Sequence, residues 1–320
     1  MGKMKAIQIT EFGGPDVMHL VDLDDPKATE IGLELINVSA IGINYADTHQ
    51  TENSYLSPQK LPMIPGGEVV GTTSKGVRVL APVDGGGYAQ KALAHPASMI
   101  PIPDGVTDEQ ALCMLIQGST AWHILKTVGH LQPGETVVVH AAAGGVGTIA
   151  IQLAKMWGAK VIAVASSESK RALATSLGAD AVVEATHENL GDAIRAANGG
   201  KRVNLILEMV GGKTFDDSLE ILAPFGRLVT YGMASRVAPT MIQPATLMGG
   251  SKTIVGFWLL HCFGKKELMN DVIEQLFALV VEGKLKPVIG ATYPLSQASK
   301  AHKAMLSRET TGKITLNPAQ

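Results

Sequence analysis

TVVVHAAAGGVGTIAIQLAKMWGAKVIAVASSESKR, running from Thr136 to Arg171, is the stretch whose reading decides the fold. The apolar run TVVVH is followed by three glycines within four residues, Gly144, Gly145 and Gly147. A helical pattern, GTIAIQLAKMWGA, comes next, and then a second apolar run, KVIAVA. Strand, glycine turn, helix and strand in that order form a dinucleotide-binding unit. Its glycines allow a tight turn, a close backbone approach to a pyrophosphate and close helix packing, with the pyrophosphate at the helix N-terminus. The three fingerprint slots fall on Ala142, Gly144 and Gly147, so alanine replaces the first glycine. A glycine cluster alone would serve equally as a turn that binds nothing. The strand before it, the helix after it and a second strand ending about 20 residues on are what favour a nucleotide.

The end of the second strand bears on which nucleotide. An NAD site places Asp or Glu there to hold the ribose 2′-hydroxyl. Here the position is Ala165, followed by Ser166, Ser167, Lys170 and Arg171. A carboxylate would repel a 2′-phosphate, whereas hydroxyls and two cations would bind it. The expected cofactor is therefore NADPH. The competing reading is that Lys170 and Arg171 are the solvated face of a helix.

Working outward, the first ~120 residues read as short strands (MKAIQIT, LELINVSAIGI, EVVGTT, VRVLAPV) separated by turn residues. After the quoted stretch the alternation continues through AVVEA, a polar helix, VNLILEMVG, another helix and GRLVTYG. Alternating strands and helices imply a parallel sheet covered on both faces. The last ~60 residues break the pattern with one long helix, KKELMNDVIEQLFALVVEGKL, and short strands ending in TGKITLN. The expected class is α/β, with a β-rich domain over 1–119, a doubly wound Rossmann domain over 120–260, and a C-terminal return, 261–320, completing the first.

Composition narrows the function classes. Apolar residues are 46%, charged residues 18%, and the net charge is −2, so no basic footprint for nucleic acid is present. No apolar run approaches the ~20 residues of a membrane span. MGKMKAIQITEFG has no signal-peptide core, and the expectation is a cytoplasmic protein without a membrane partner. Two cysteines, Cys113 and Cys262, lie far apart in apolar surroundings and read as buried hydrophobes, not as a zinc cluster.

The order IGINYADTH, IPGGEVVG, GGGYAQ, GSTAWHIL, LQPGETVVVHAAAGGVGTIAIQLAK, LGAD, GRLVTYG and TGKITL resembles the zinc-independent quinone oxidoreductases of the medium-chain dehydrogenase/reductase superfamily, from about residue 4 to 316. The resemblance implies a GroES-like catalytic domain, a Rossmann cofactor domain and a homodimer. It implies NADPH-dependent reduction of a small-molecule quinone or α,β-unsaturated carbonyl, with hydride transfer in a cleft between the domains. Zinc-dependent relatives carry Cys and His where this chain has Asn44 and Gly67, so no metal is expected. Without a Lewis acid alcohol oxidation is disfavoured, while an electrophilic conjugated acceptor needs only hydride and donors for its oxygen.

Residue by residue, the resemblance implies catalytic positions at Asn44, Asp47 and Tyr55. His49, two residues after Asp47, is a candidate proton donor on its own chemistry, because histidine titrates close to neutrality. The resemblance implies cofactor contacts at Thr120, at the turn Ala143, Gly144, Gly145, Val146 and Gly147, at Tyr231, Gly232 and Met233, and at Phe257, Trp258 and Leu259. Three departures stand out: His49-Gln50-Thr51 in place of Tyr-Ile-Arg, Ala185 in place of a phosphate-holding tyrosine, and Met233 in place of an asparagine. Structural alternatives stand beside these roles. Asn44 could close a turn, Asp47 could cap a helix begun by ADTHQ, Tyr55 could be a half-buried loop aromatic, and His49 could lie on a helix surface. Lys313 reads as structural. Two other functions share the pattern, an enoyl-thioester reductase and an NADPH-binding protein with little turnover.

Overall fold

The computed structural model describes residues 2–28 and 32–320. The chain divides into two compact units. One runs through Gln117 and resumes at Phe263–Gln320, and the other is Gly118–Cys262.

The second unit is built on a six-stranded, wholly parallel sheet. Its spatial order is Ala181–Glu184, Lys160–Ala165, Thr136–Val139, Val203–Glu208, Leu222–Thr230 and Thr253–Gly256. Val137, Val138 and Val139 are wholly buried, because helices cover both faces of such a sheet and leave no solvated side. Gly145–Met156, Glu168–Ser176, Leu190–Ala197 and Gly212–Glu220 are the connecting helices. Val138, Ile162, Val164, Ile206, Phe215 and Leu228 make the core beneath them. The chain builds outward from Thr136–Val139 in one direction, then crosses back to build in the other. That reversal opens a crevice between Thr136–Val139 and Val203–Glu208 at the C-terminal edge of the sheet.

The first unit is a largely antiparallel sheet in the order Ile289–Pro294, Lys313–Asn317, Glu34–Ile43, Glu68–Thr73, Arg78–Pro82 and Ile100–Pro101, with Lys91–Ala94 also paired to Glu34–Ile43. Lys3–Gln8 and His19–Asp24 form a separate two-stranded ribbon. The C-terminal return is a strand in this sheet: Ile314 faces Ile43 and Leu316 faces Ile41 across an antiparallel pair. Those residues join Ile7, Ile36, Val69 and Tyr88 in one core.

Two elements differ from the sequence expectation. The long helix expected over KKELMNDVIEQLFALVVEGKL is only Asn270–Val281. Lys265–Met269 is wound into turns before it, with Leu268 and Met269 both donating to the Lys265 carbonyl. At the other end Gly283, at φ 69°, takes the left-handed conformation, and Lys284 N donates back to the Leu279 carbonyl. That is a Schellman stop, which favours glycine. The second difference is the helix Asp108–Cys113, which apolar periodicity did not announce.

Candidate functional site

The glycine turn sits where the crevice opens. Ala141 carries the left-handed backbone, φ 48°, one residue before the slot assigned from sequence, and Ala142 N donates to the Val164 carbonyl at 3.0 Å. Gly144 is extended, φ −79° and ψ 176°, and precedes the helix. Gly147 is demanded by space: a Cβ there would meet Ala141 O at 2.6 Å and Ala142 Cα at 2.8 Å. Ala143 is buried, whereas Gly144, Gly145 and Val146 keep partial exposure at the helix start. No acidic residue occupies that first turn, so no carboxylate there offsets the positive end of the helix dipole.

Parallel pairing carries the other expected cofactor positions to the same edge. Ala165 closes its strand, and Ala185 N donates to its carbonyl at 3.1 Å. Ser167 caps the following helix by accepting from Lys170 N at 3.3 Å, and Arg171 Nη1 donates to Ala165 O at 3.3 Å. Ser166, Ser167, Lys170 and Arg171 are all half-buried. Tyr231 N donates to Glu208 O at 3.1 Å and Phe257 N to Thr230 O at 2.9 Å, so each loop leaves the sheet beside its neighbour. Gly232 and Met233 are exposed, Trp258 is half-buried and Leu259 is buried. Thr120 is buried on Ser119–Trp122, and His123 after it lies 5.6 Å from the Phe257 ring.

Sequence reasoning passed over Glu208. It is buried at the end of its strand, and its Oε1 accepts from Val210 N at 2.7 Å and Gly211 N at 3.0 Å. Oε2 has no hydrogen-bond partner among the described residues, and burial pushes the carboxyl pKa up. A carboxylate at a strand end, three residues before Gly211, was the available signal.

In the first unit the segment IGINYADTHQT folds as the end of a strand and a helix, Tyr45–Thr51. The helix begins at Tyr45, so Asn44 is its N-cap residue and Asp47 its third residue. Asn44 N donates to Asp47 Oδ2 at 2.9 Å, which makes Asp47 the carboxylate arm of a capping box. Tyr88 OH donates to the same oxygen at 2.8 Å and lies 2.9 Å from His302 Nε2. Gly66, at φ 99°, makes room for this, since a Cβ there would overlap the Tyr88 ring. Burial raises the Asp47 pKa to about 6, against the hydrogen bonds from Asn44 and Tyr88 and the nearby Lys313 charge. Burial also lowers that of His302 to about 4.

Asn44 belongs to a second buried network. Its Nδ2 donates to Glu68 Oε1 at 2.7 Å, while its Oδ1 accepts from Lys313 Nζ at 3.1 Å and from Gln117 Nε2 at 3.4 Å. Lys313 and Glu68 form an ion pair in which both side chains are fully buried. Gly42 leaves the space for Glu68, because a Cβ there would overlap its carboxylate. Glu68, Gln117, Tyr88 and His302 were not singled out from sequence, and Lys313 only as structural. Their partners lie 24 to 269 positions away, beyond any local pattern.

His49 is 4% exposed, which corrects the helix-surface alternative. The Tyr45 and Tyr55 rings flank its imidazole at 5.8 and 6.0 Å. Both cysteines are buried, and burial pushes the Cys113 thiol up to about 12. No group of three or more His, Cys, Asp and Glu that could hold a metal occurs among the described residues, and none of their helices is long and apolar enough to cross a membrane.

A Rossmann crevice in one unit and a buried polar cluster on a β-rich sheet in the other define the class, a two-unit dehydrogenase/reductase. A family model described as zinc-binding dehydrogenase matches residues 145–278. Quinone oxidoreductase 1 of Escherichia coli is 32% identical, over 98% of this chain and 99% of its own. The structure of Escherichia coli quinone oxidoreductase complexed with NADPH superposes with TM-score 0.92 at 30% identity, covering 98% of this chain and 100% of that one. Thermus thermophilus quinone oxidoreductase, solved alone and with NADPH, gives 0.87 at 35% identity, over 98% and 99%. The chain belongs to the quinone oxidoreductase family of medium-chain dehydrogenases/reductases.

Proposed function

We propose that the protein is an NADPH-dependent reductase of quinones or α,β-unsaturated carbonyls that works without zinc. The observation that carries this reading is the C-terminal edge of the parallel sheet. There a helix start without acidic residues adjoins a strand that ends at Ala165 and is followed by Ser166 and Ser167, with Lys170 and Arg171 on the next helix. That donor set suits a pyrophosphate and a 2′-phosphate. Gly144, Gly145 and Val146 would hold the pyrophosphate, and Ser166, Lys170 and Arg171 the 2′-phosphate. Thr120, Tyr231, Gly232, Met233 and Phe257–Leu259 would line the rest. When bound, the reduced nicotinamide supplies a hydride.

The surroundings of Asn44 support zinc independence. Its carboxamide oxygen accepts from the Lys313 ammonium, and Gly67 offers no side-chain donor. The Lys313 ammonium already takes both the Asn44 oxygen and the Glu68 carboxylate, so a divalent cation there would have to displace it. The zinc-binding dehydrogenase match begins at residue 145 and includes neither position. In the catalytic cluster, Asn44 and Asp47 fix the helix that presents His49. Tyr55 flanks the acceptor, and His49 supplies the proton that the reduced acceptor needs.

The same reading places the protein in the cytoplasm as a homodimer. The edge strand Thr253–Gly256 pairs on one side only, and Met241 and Met248, just before it, are 95% and 79% exposed. Sedimentation would show a dimer that Met248→Asp weakens. The test of function is oxidation of NADPH and NADH with quinones, enones and enoyl thioesters, in the presence of a chelator. Turnover of quinones or enones with preference for NADPH is expected. Turnover confined to thioesters, or abolished by chelation, would overturn the proposal.

A further inference from the structure

His49 Nδ1 lies 3.0 Å from Ser54 Oγ. That hydroxyl has two other partners, Glu52 Oε2 at 3.2 Å and, at a longer 3.5 Å, the His49 carbonyl oxygen. Both are acceptors only. A hydroxyl owns one proton, so once it donates to the carboxylate its oxygen can only accept from the ring. With Ser54 donating to Glu52, the chain runs from His49 Nδ1–H to Ser54 and from Ser54 to Glu52.

The backbone holds this arrangement together. Asn53, in the left-handed region at φ 53°, turns the chain back over the end of the helix, and Ser54 N donates to His49 O at 2.9 Å. Gln59 N donates to Asn53 Oδ1 at 2.9 Å and closes the loop. Tyr45 and Tyr55 on either side of the imidazole restrict its rotation.

We propose that Ser54 and Glu52 are positioning residues that hold His49 in the tautomer protonated on Nδ1, so that Nε2 is the nitrogen that exchanges the proton of the reaction. The functional half of this inference rests on the reductase reading above. When hydride reaches the acceptor carbon, the electron pair displaced onto the acceptor oxygen takes the proton from His49 Nε2. The N–H bond breaks, the O–H bond forms, and the imidazolium returns to the neutral ring with its proton still on Nδ1. Solvent then reprotonates Nε2. Fixing one nitrogen assigns the other its role.

The test is the imidazole 15N spectrum of the full-length protein at mildly alkaline pH, with the His49 signals identified by their loss in His49→Gln. Wild type should show the pattern of a proton on Nδ1. Ser54→Ala should shift His49 toward the Nε2-protonated form and lower kcat about tenfold or more with KM nearly unchanged. Ser54→Thr, which keeps the hydroxyl, should restore both. Ser54 is exposed, so neither variant disturbs a core. A wild-type ring protonated on Nε2, or a Ser54→Ala spectrum identical to wild type, overturns the inference. Failure of wild type to reduce any quinone or enone would count against the reductase reading instead, because the spectrum reads the tether without turnover.

Discussion

Lys313 Nζ reaches the side-chain oxygen of Asn44 at 3.1 Å and pairs with Glu68, joining the last strand of the chain to the cap of the helix that carries His49. Both charges are fully buried, so removing one leaves the other without compensation. Lys313→Met should cost roughly 3–5 kcal/mol in urea unfolding. The double variant Lys313→Met, Glu68→Gln should recover part of that loss. Strict additivity of the two single changes would show that the pair is not coupled.

The buried histidines should make the fold acid-sensitive. Burial holds His140 and His302 at about 4, against 6.5 in the unfolded chain. Between those values the unfolded chain binds protons that the folded one refuses. The stability these histidines contribute is therefore complete above pH 6.5 and is lost as the pH falls toward 4. Asp47 works in the opposite sense. Its folded pKa of about 6 exceeds the ordinary 3.8, so acidification through that interval favours the fold. A displacement of this size is worth roughly 3 kcal/mol per group. Glu208, also raised by burial, acts with Asp47, while Glu135 and Asp180, held low against burial by Arg227 and Lys155, act with the histidines. Denaturant midpoints should fall between pH 7 and 4, and fall less in His140→Gln. A midpoint that rises on acidification would contradict the balance.

Cofactor preference should reside in the residues after Ala165. Lys170→Ala should weaken NADPH binding about tenfold or more, the worth of a charge-assisted contact, and leave NADH nearly unaffected. Titration of both nucleotides by fluorescence measures this. Equal losses would mean that Lys170 does not read the 2′-phosphate.

Gly147 offers a sharper structural test. Its neighbours are backbone atoms of Ala141 and Ala142, which cannot rotate away from an added methyl. Gly147→Ala should push the helix off the turn, cost about 1–3 kcal/mol and weaken both nucleotides together. Unchanged stability and affinity would show that the turn yields.

The second unit was legible because its signals are local. Apolar runs alternating with helical periods, and glycines at a strand–helix junction, dictate a parallel sheet with a crevice at one edge, and residues near each strand end reach that edge by register alone. Local signals also existed where the reading fell short. Gly283 marked the end of the Asn270–Val281 helix, and Thr107 with Gln110 forms the capping box that starts Asp108–Cys113.

What sequence determined is the α/β pattern, the nucleotide-type turn, the hydroxyls and cations after Ala165, and the placing of Asn44, Asp47 and His49 on one short segment. Only tertiary structure decided what the Asn44 and Asp47 side chains touch, whereas His49 keeps to its neighbours Tyr45, Ser54 and Tyr55. Glu68 and Lys313 reach Asn44 from separate strands, and Tyr88, held by His302 from a distant helix, reaches Asp47 from a loop. Buried polar atoms must find partners wherever packing brings donor to acceptor, and periodicity along the chain carries no record of that pairing.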